Sequence, residues 1–260
     1  MKFQKWQGTG NDFIFVYDPE AALQLSQKEI AMLCHRRFGI GADGFIAWQL
    51  KDGVPFMKYY NSDGRESTMC GNGGRCFAAY SVYNELAVAD IPFHFHAVDG
   101  PHEAYILKDA EGLYRVELKM SDVKTPEKNG EDTIIDTGSP HYVVPGDSVF
   151  LERESIAEPA RAIRNSDRFR AEGINVNFVH ADAEGNLHMR TYERGVEDET
   201  YSCGTGVTAA ALAFYPVLKK EHVYVRTPGG NLEVRFKPSG TGFEDVWLIG
   251  PAALVFEGSL

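Results

Sequence analysis

Cys70-Gly71-Asn72-Gly73-Gly74-Arg75-Cys76 is the stretch from which the chain is best read, because it has a counterpart. Cys203-Gly204-Thr205-Gly206 lies 133 residues further on. It too opens with cysteine, runs through C-G-x-G and leads into an Ala-rich segment. The same offset carries Tyr59 onto Tyr192, Glu66 onto Glu199, Gly73 onto Gly206 and Ala78 onto Ala211, and it is close to half of the 260-residue length. A period this long points to two related halves and not to a solenoid of short repeats. Two halves that each place a thiol at the same spot can bring the pair together at their seam.

Halves of about 130 residues each are of ordinary domain size, and a hydrophobic fraction of 43% suffices for a core in both. Net charge is −11, and no basic run exceeds Arg36-Arg37 or Lys219-Lys220. Polyphosphate partners need a positive footprint, so the balance argues against nucleic acid and anionic membranes. A small anion held in a local pocket stays open. Met1-Lys2-Phe3-Gln4-Lys5-Trp6 lacks the apolar core of a signal peptide. No stretch approaches the roughly 20 apolar residues of a membrane helix. The cysteines are Cys34, Cys70, Cys76 and Cys203, too few for a disulfide scaffold and without a C-x-x-C motif. The expected compartment is a reducing cytoplasm, where a cysteine in a Gly-rich turn points to chemistry.

Periodicity places strands at 2–7 and 13–17, joined by the turn cluster Gly8 to Asp12. Ser26 with Glu29 forms a capping-box pattern that opens a helix through about Phe38, with Cys34 buried in it. Strands follow at 45–49 and 55–60, and Asn61-Ser62-Asp63-Gly64 is a tight turn. Arg75 to Leu86 reads as a helix, and 91–120 as hairpins broken at Asp99-Gly100 and Glu111-Gly112. The polar segment 121–132 is the expected linker. Beyond it a helix is expected over Ser155 to about Asn165, and strands over 175–180 and 187–192. A second apolar helix, Val207 to Lys219, should weaken near Phe214-Tyr215 because of Pro216. Strands return at 222–226, 231–236 and 245–249. The class is α+β: two pseudo-symmetric, mostly antiparallel β domains, each wrapped around a central helix, with the active site in the cleft between them.

A Gly-rich loop entering a helix presents unpaired N–H groups and the positive end of the helix dipole. Such an end binds a carboxylate and lowers a thiol's pKa from its free value of about 8.5. Two such ends facing one amino-acid carboxylate would set a sulfur on each side of the α-carbon. One thiolate would remove the α-proton and the opposite thiol would return one to the other face. The amides would stabilise the developing carboxylate charge. A nucleophilic cysteine with His141 as base remains an alternative. Zinc is disfavoured by ligand spacing, and Cys70 with Cys76 makes no knuckle.

Taken in order, a set of motifs goes further. They are Gly8-Thr9-Gly10-Asn11-Asp12-Phe13, Gly39-Ile40-Gly41-Ala42-Asp43-Gly44, Asn61-Ser62-Asp63-Gly64, the Cys70 loop, Ser139-Pro140-His141, Asn175-Val176-Asn177-Phe178, Glu193-Arg194-Gly195 and the Cys203 loop. Along nearly its whole length the chain resembles the diaminopimelate epimerases. The related proline racemases share the two-thiol plan but typically carry His where Asn72 stands.

The resemblance implies a cofactor-independent, PLP-free isomerase without a metal. It would turn LL-2,6-diaminopimelate into the meso isomer for lysine and cell-wall precursor synthesis. Cys70 and Cys203 would be base and acid, supported by His141 and Glu193. The amides of Gly71, Asn72, Gly204 and Thr205 would cradle the reacting carboxylate. Asn11, Asn61, Ser139, Asn175, Glu193 and Arg194 would hold the rest of the substrate, Arg194 by bidentate contact with the distal carboxylate. Ser139 stands where many members have Asn, and Gly44 where some have Gln, so two polar contacts differ. Cys76 is expected only to pack. The resemblance also implies a homodimer. It implies domains over 1–120 plus 251–260 and over 121–250, the final strand returning to the first.

Overall fold

The offset of the two cysteine loops reappears as a repeated order of elements. The computed structural model describes residues 1–152 and 155–260. It divides into two compact units, Met1–Leu118 with Gly250–Leu260, and Lys119–Ile249.

In the first unit β1 (Lys2–Gly8) and β2 (Asn11–Tyr17) form a hairpin that sets Trp6 opposite Phe13. Its turn is left-handed at Thr9 and Gly10. β3 (Gly44–Lys51) runs parallel to β2 and antiparallel to β4 (Val54–Asn61). A parallel step needs a crossover, and α1 (Gln27–Cys34) supplies it. The Ser26–Glu29 capping box is formed, but the helix ends at Cys34 and not near Phe38. His35 turns extended there, and its ring Nδ1 accepts the amides of Arg37 and Phe38. Those amides therefore do not continue the helix.

After the Cys70 loop come α2 (Gly71–Tyr83) and the strands β5 (Pro92–Ala97), β6 (Gly100–Ala110) and β7 (Leu113–Lys119), an antiparallel meander whose β6–β7 register shifts between Lys108 and Ala110. α2 begins at Gly71, four residues before the sequence reading put it. Its glycines are helical because there is no room for side chains: a Cβ on Gly74 would lie 2.8 Å from Met69 Sδ and 3.0 Å from Leu118. Close packing here outweighs the low helix propensity of glycine. Every residue from Gly71 to Ser81 is buried. Aromatic rings wrap the helix, Phe15 on Tyr80 at 4.9 Å and Phe77 near Phe95 at 5.0 Å. The Trp48 indole N–H donates to Ser81 Oγ at 3.0 Å.

The second unit repeats this plan. The segment expected as a linker holds two short strands, β8 (Val123–Lys124) and β9 (Glu127–Asn129). The Asn129-Gly130 turn, with Gly130 at positive φ, folds β9 back onto β10 (Asp132–Asp136). Polar composition marked this stretch as a linker, but its backbone pairs. β11 (Pro140–Pro145) is antiparallel to β10 and parallel to β12 (Asn175–Ala181). Their crossover carries α3 (Val149–Glu152) and α4 (Ala157–Arg164). β13 (Leu187–Glu193) and β14 (Asp198–Thr200) lead to α5 (Gly204–Leu218). Then come β15 (His222–Thr227), β16 (Gly230–Ser239) and β17 (Gly242–Ser259).

α5 is buried from Gly204 to Ala213 apart from the half-buried Thr205, and it packs on β10–β13, β15 and β16. Pro216 does not break it. Proline sits in the exposed last turn, where it forgoes one amide bond, and Lys219 closes the helix in a left-handed conformation. β17 belongs to the second unit up to Ile249, and its remainder pairs with β1 and β7 inside the first. The fold is α+β, antiparallel except for one parallel step before and one after the hairpin preceding each buried helix. No helix among the described residues is long and apolar enough to cross a membrane.

Candidate active site

Each cysteine loop ends as the N-cap of its unit's buried helix. Cys70 is extended (φ −103°, ψ 148°), which turns its half-exposed side chain back over the first turn of α2. The Gly73 N–H donates to its Sγ at 3.2 Å. Gly71 and Asn72 contribute amides of the first turn, at the positive end of the helix. Burial raises the thiol pKa of Cys34, to about 11, and that of Cys76 higher still. Both are inert packing residues, Cys76 wholly buried.

Around Cys70 the polar side chains form a chain of hydrogen bonds. Asn72 Nδ2 donates to Asn11 Oδ1 at 3.3 Å, and Asn11 Nδ2 donates to Asp43 Oδ2 at 2.8 Å. Asp43 in turn binds Arg36, whose fork also grips Asp12 at 2.8 and 3.0 Å. Lys5 approaches Asp12 at 2.9 Å and donates to the Gly41 carbonyl. Burial alone would raise the Asp12 pKa, but Arg36 and Lys5 outweigh it and pull it down to about 2. Asn11 and Asn72 are thus oriented by a fixed charge cluster. Asn61 lies at the end of β4, exposed, its Oδ1 accepting from Tyr59 at 2.8 Å. Gly44 is opposite Asn61, and a Cβ there would come within 2.6 Å of the Tyr59 ring. No larger residue fits at that position in this packing.

In the second unit Cys203 is the extended N-cap of α5 and is buried. Thr205 Oγ1 lies 3.4 Å from its sulfur and 2.9 Å from His141 Nε2. His141 Nδ1 faces Asn177 Nδ2 at 3.1 Å, and Asn177 Oδ1 accepts from Thr191 at 3.0 Å. The amide nitrogen can only donate. Nδ1 is therefore the acceptor and Nε2 carries the proton toward Thr205, an assignment made from the network. Burial first, then the Arg194 charge, pushes the His141 pKa down to about 3, so the ring is neutral at physiological pH. Gly206 permits this contact, since a Cβ would stand 2.6 Å from Asn177 Oδ1.

A second group in the same unit gathers Asn175, Ser139 and Arg194. Asn175 Nδ2 donates to Ser139 Oγ at 2.9 Å and to the Pro140 carbonyl at 3.0 Å, while its Oδ1 accepts the Arg194 amide at 2.9 Å. The exposed Arg194 guanidinium donates to the Glu172 carbonyl at 3.1 Å and reaches Ser139 Oγ at 3.5 Å. Glu193 is half-buried and accepts from Thr200 Oγ1 at 3.0 Å.

Several supporting residues escaped the sequence reading: Arg75, Asp43, Asn177 and the Thr205 hydroxyl. All four sit inside the ordered motifs of the sequence. Their own roles needed neighbours that are distant in sequence.

Solved structures of low sequence identity show the fold. A phenazine biosynthesis protein of the PhzF family from Bacillus anthracis superposes with a TM-score of 0.80 at 13% identity, covering 100% of this chain and 99% of that one. A hydroxyproline epimerase from Agrobacterium vitis gives 0.64 at 12%, covering 99% and 91%. In class, then, this is a duplicated α+β protein of the fold found in those two, with a thiol at the mouth of each buried helix.

Full-length sequence relatives narrow the class. A diaminopimelate epimerase of Flavobacterium psychrophilum is 41% identical over 100% of both chains, and one of Aquifex aeolicus is 35% identical over 100% of this chain and 98% of that one. The family description diaminopimelate epimerase matches residues 3–125 and 133–255. The chain belongs to the diaminopimelate epimerase family and is an isomerase.

Proposed function

We propose that this protein interconverts LL- and meso-2,6-diaminopimelate without a cofactor, with Cys70 and Cys203 as the two bases. The observation that carries the reading is that both thiols cap buried helices at matching positions of the repeat, within a full-length family match. One sulfur, as thiolate, takes the α-proton; the electron pair left on carbon delocalises into the carboxylate. The other sulfur, as thiol, gives its proton to the opposite face and becomes the thiolate. Protons and charge balance, and the roles reverse for the return reaction.

The amides of Gly71, Asn72, Gly204 and Thr205 bind the carboxylate and stabilise its added charge. Asn11, Asn61, Ser139 and Asn175 hold the remaining polar groups, Glu193 the distal ammonium and Arg194 the distal carboxylate. His141 acts through Thr205 on Cys203 and stays neutral while doing so. The protein works in the cytoplasm as a homodimer and takes neither nucleic acid nor membrane as partner.

Incubation of LL-diaminopimelate in deuterated water tests the reading. The meso product should carry deuterium at the inverted carbon, and Cys70→Ala and Cys203→Ala should each abolish inversion. Unlabelled product would sink the two-base route. Turnover of proline in place of diaminopimelate would assign the site to a sister isomerase.

A further inference from the structure

Arg75 is wholly buried. It donates to the Gly71 carbonyl at 3.3 Å, Asn72 Oδ1 at 3.0 Å, Thr9 Oγ1 at 3.2 Å and the Pro251 carbonyl at 3.4 Å. All four partners are neutral oxygens, and among the described residues no carboxylate pairs with it. A guanidinium removed from water without a counter-charge is costly. Burial lowers its pKa only to about 10, so at neutral pH it remains a cation.

Two thiols lie beside this charge: Cys76, next in sequence, and Cys70, whose neighbour Gly71 accepts from the guanidinium. Cys76 is sealed inside the core, and its thiol is driven strongly toward the neutral form, with Asp12 and Cys70 adding to that effect. Cys70 is half-exposed at a helix N-terminus with an amide donor on its sulfur. It is the one of the two that can carry the compensating negative charge.

The repeat supplies an internal control. The residue 133 positions after Arg75 is Thr208, and it binds the matching carbonyl, Thr208 Oγ1 to Gly204 O at 3.1 Å. A permanent cation in one half is thus a neutral hydroxyl in the other. The two sulfurs differ in the same sense. Cys70 faces the Gly73 N–H, which can only donate. Cys203 meets the Thr205 hydroxyl, which can donate or accept.

We propose that Arg75 is a positioning residue whose charge holds Cys70 as the resting thiolate, and that Thr208 in its place leaves Cys203 as the resting thiol. Arg75 does not touch the reacting atoms. It also polarises the Gly71–Asn72 peptide through the Gly71 carbonyl, which sharpens the Asn72 amide as a carboxylate donor. The proposal rests on the reading of Cys70 and Cys203 as the two bases, but its test does not use the substrate.

The test is the pH dependence of iodoacetamide alkylation in the full-length protein, resolved by peptide mass spectrometry. In the unmodified sequence Cys70 should alkylate with an apparent pKa at least about one unit below that of Cys203, tenfold in ionisation. Arg75→Met should raise the Cys70 value by about one unit or more and leave Cys203 in place, while Arg75→Lys should restore part of the difference. Equal values, or a lower value at Cys203, in the unmodified protein would overturn the proposal even if Arg75→Met fails to fold. An unmoved Cys70 profile in a folded Arg75→Met protein would overturn it too. If the acidities differ as stated but diaminopimelate is not epimerised, the assigned function fails and the electrostatic asymmetry stands.

Discussion

Replacing Thr205 by valine removes one oxygen and keeps the shape of the side chain, so it isolates the hydroxyl between His141 and Cys203. That hydroxyl is 2.9 Å from His141 Nε2 and 3.4 Å from the sulfur. His141 is fully buried, so its Nε2–H would be left without that acceptor. The cost of an unsatisfied buried donor is about 1–3 kcal/mol. β-branching is conserved, so helix propensity adds little. The Thr205 carbonyl keeps its bond from Thr137 Oγ1, so the backbone of the loop is still anchored. Urea unfolding should show the free energy of Thr205→Val lowered by that amount, seen as a lower midpoint at unchanged m, with Thr205→Ser close to the parent protein. Loss of the contact to sulfur, worth about 1 kcal/mol, should lower kcat about fivefold with little change in KM. A valine variant as stable and as active as the parent would refute the relay from Asn177 through His141 and Thr205 to Cys203.

Stability should also fall on acidification below neutral pH. The folded-state pKa of His141 is pushed down to about 3 from an ordinary 6.5, so between those values the unfolded chain binds a proton that the folded one refuses. Stability therefore rises with pH through that window, by up to about 1.4 kcal/mol per unit for this group. Asp12, lowered to about 2, adds a loss as pH falls below about 4. Melting temperatures from pH 7 to 4 check the slope, and His141→Gln should flatten its upper part; an unaltered slope would count against the buried neutral ring. Pro216→Ala restores an amide in the last turn of α5 and should raise stability by about 1 kcal/mol or more. A lower thermal midpoint would show that the proline is better accommodated than its missing bond suggests.

The helices and strands were largely legible because their apolar residues keep to periods that backbone geometry imposes. The misreadings came where contact overrode local preference. Gly71, Gly73 and Gly74 resemble a helix breaker in composition yet form the first turn of α2, and neighbouring side chains fill the space that Cβ atoms on Gly73 and Gly74 would take. Pro216 resembles a stop but lies where a single lost bond is tolerable. Residues 121–132 are polar like a linker, and backbone pairing still draws them into strands.

By itself the sequence determined that the chain is a duplication, that each half carries one thiol at a Gly-rich helix entrance, and which ordered motifs tie it to its family. Identity and spacing are properties of the linear chain and can be read there. The tertiary structure alone decided what surrounds each thiol. It set a buried Arg75 within the electrostatic reach of Cys70 and a neutral His141–Thr205 pair beside Cys203. Burial and charge at a site depend on residues brought together from across a folded unit, and one-dimensional spacing does not contain that distance. The two C-G-x-G loops, so alike as letters, are for that reason unlike as chemistry.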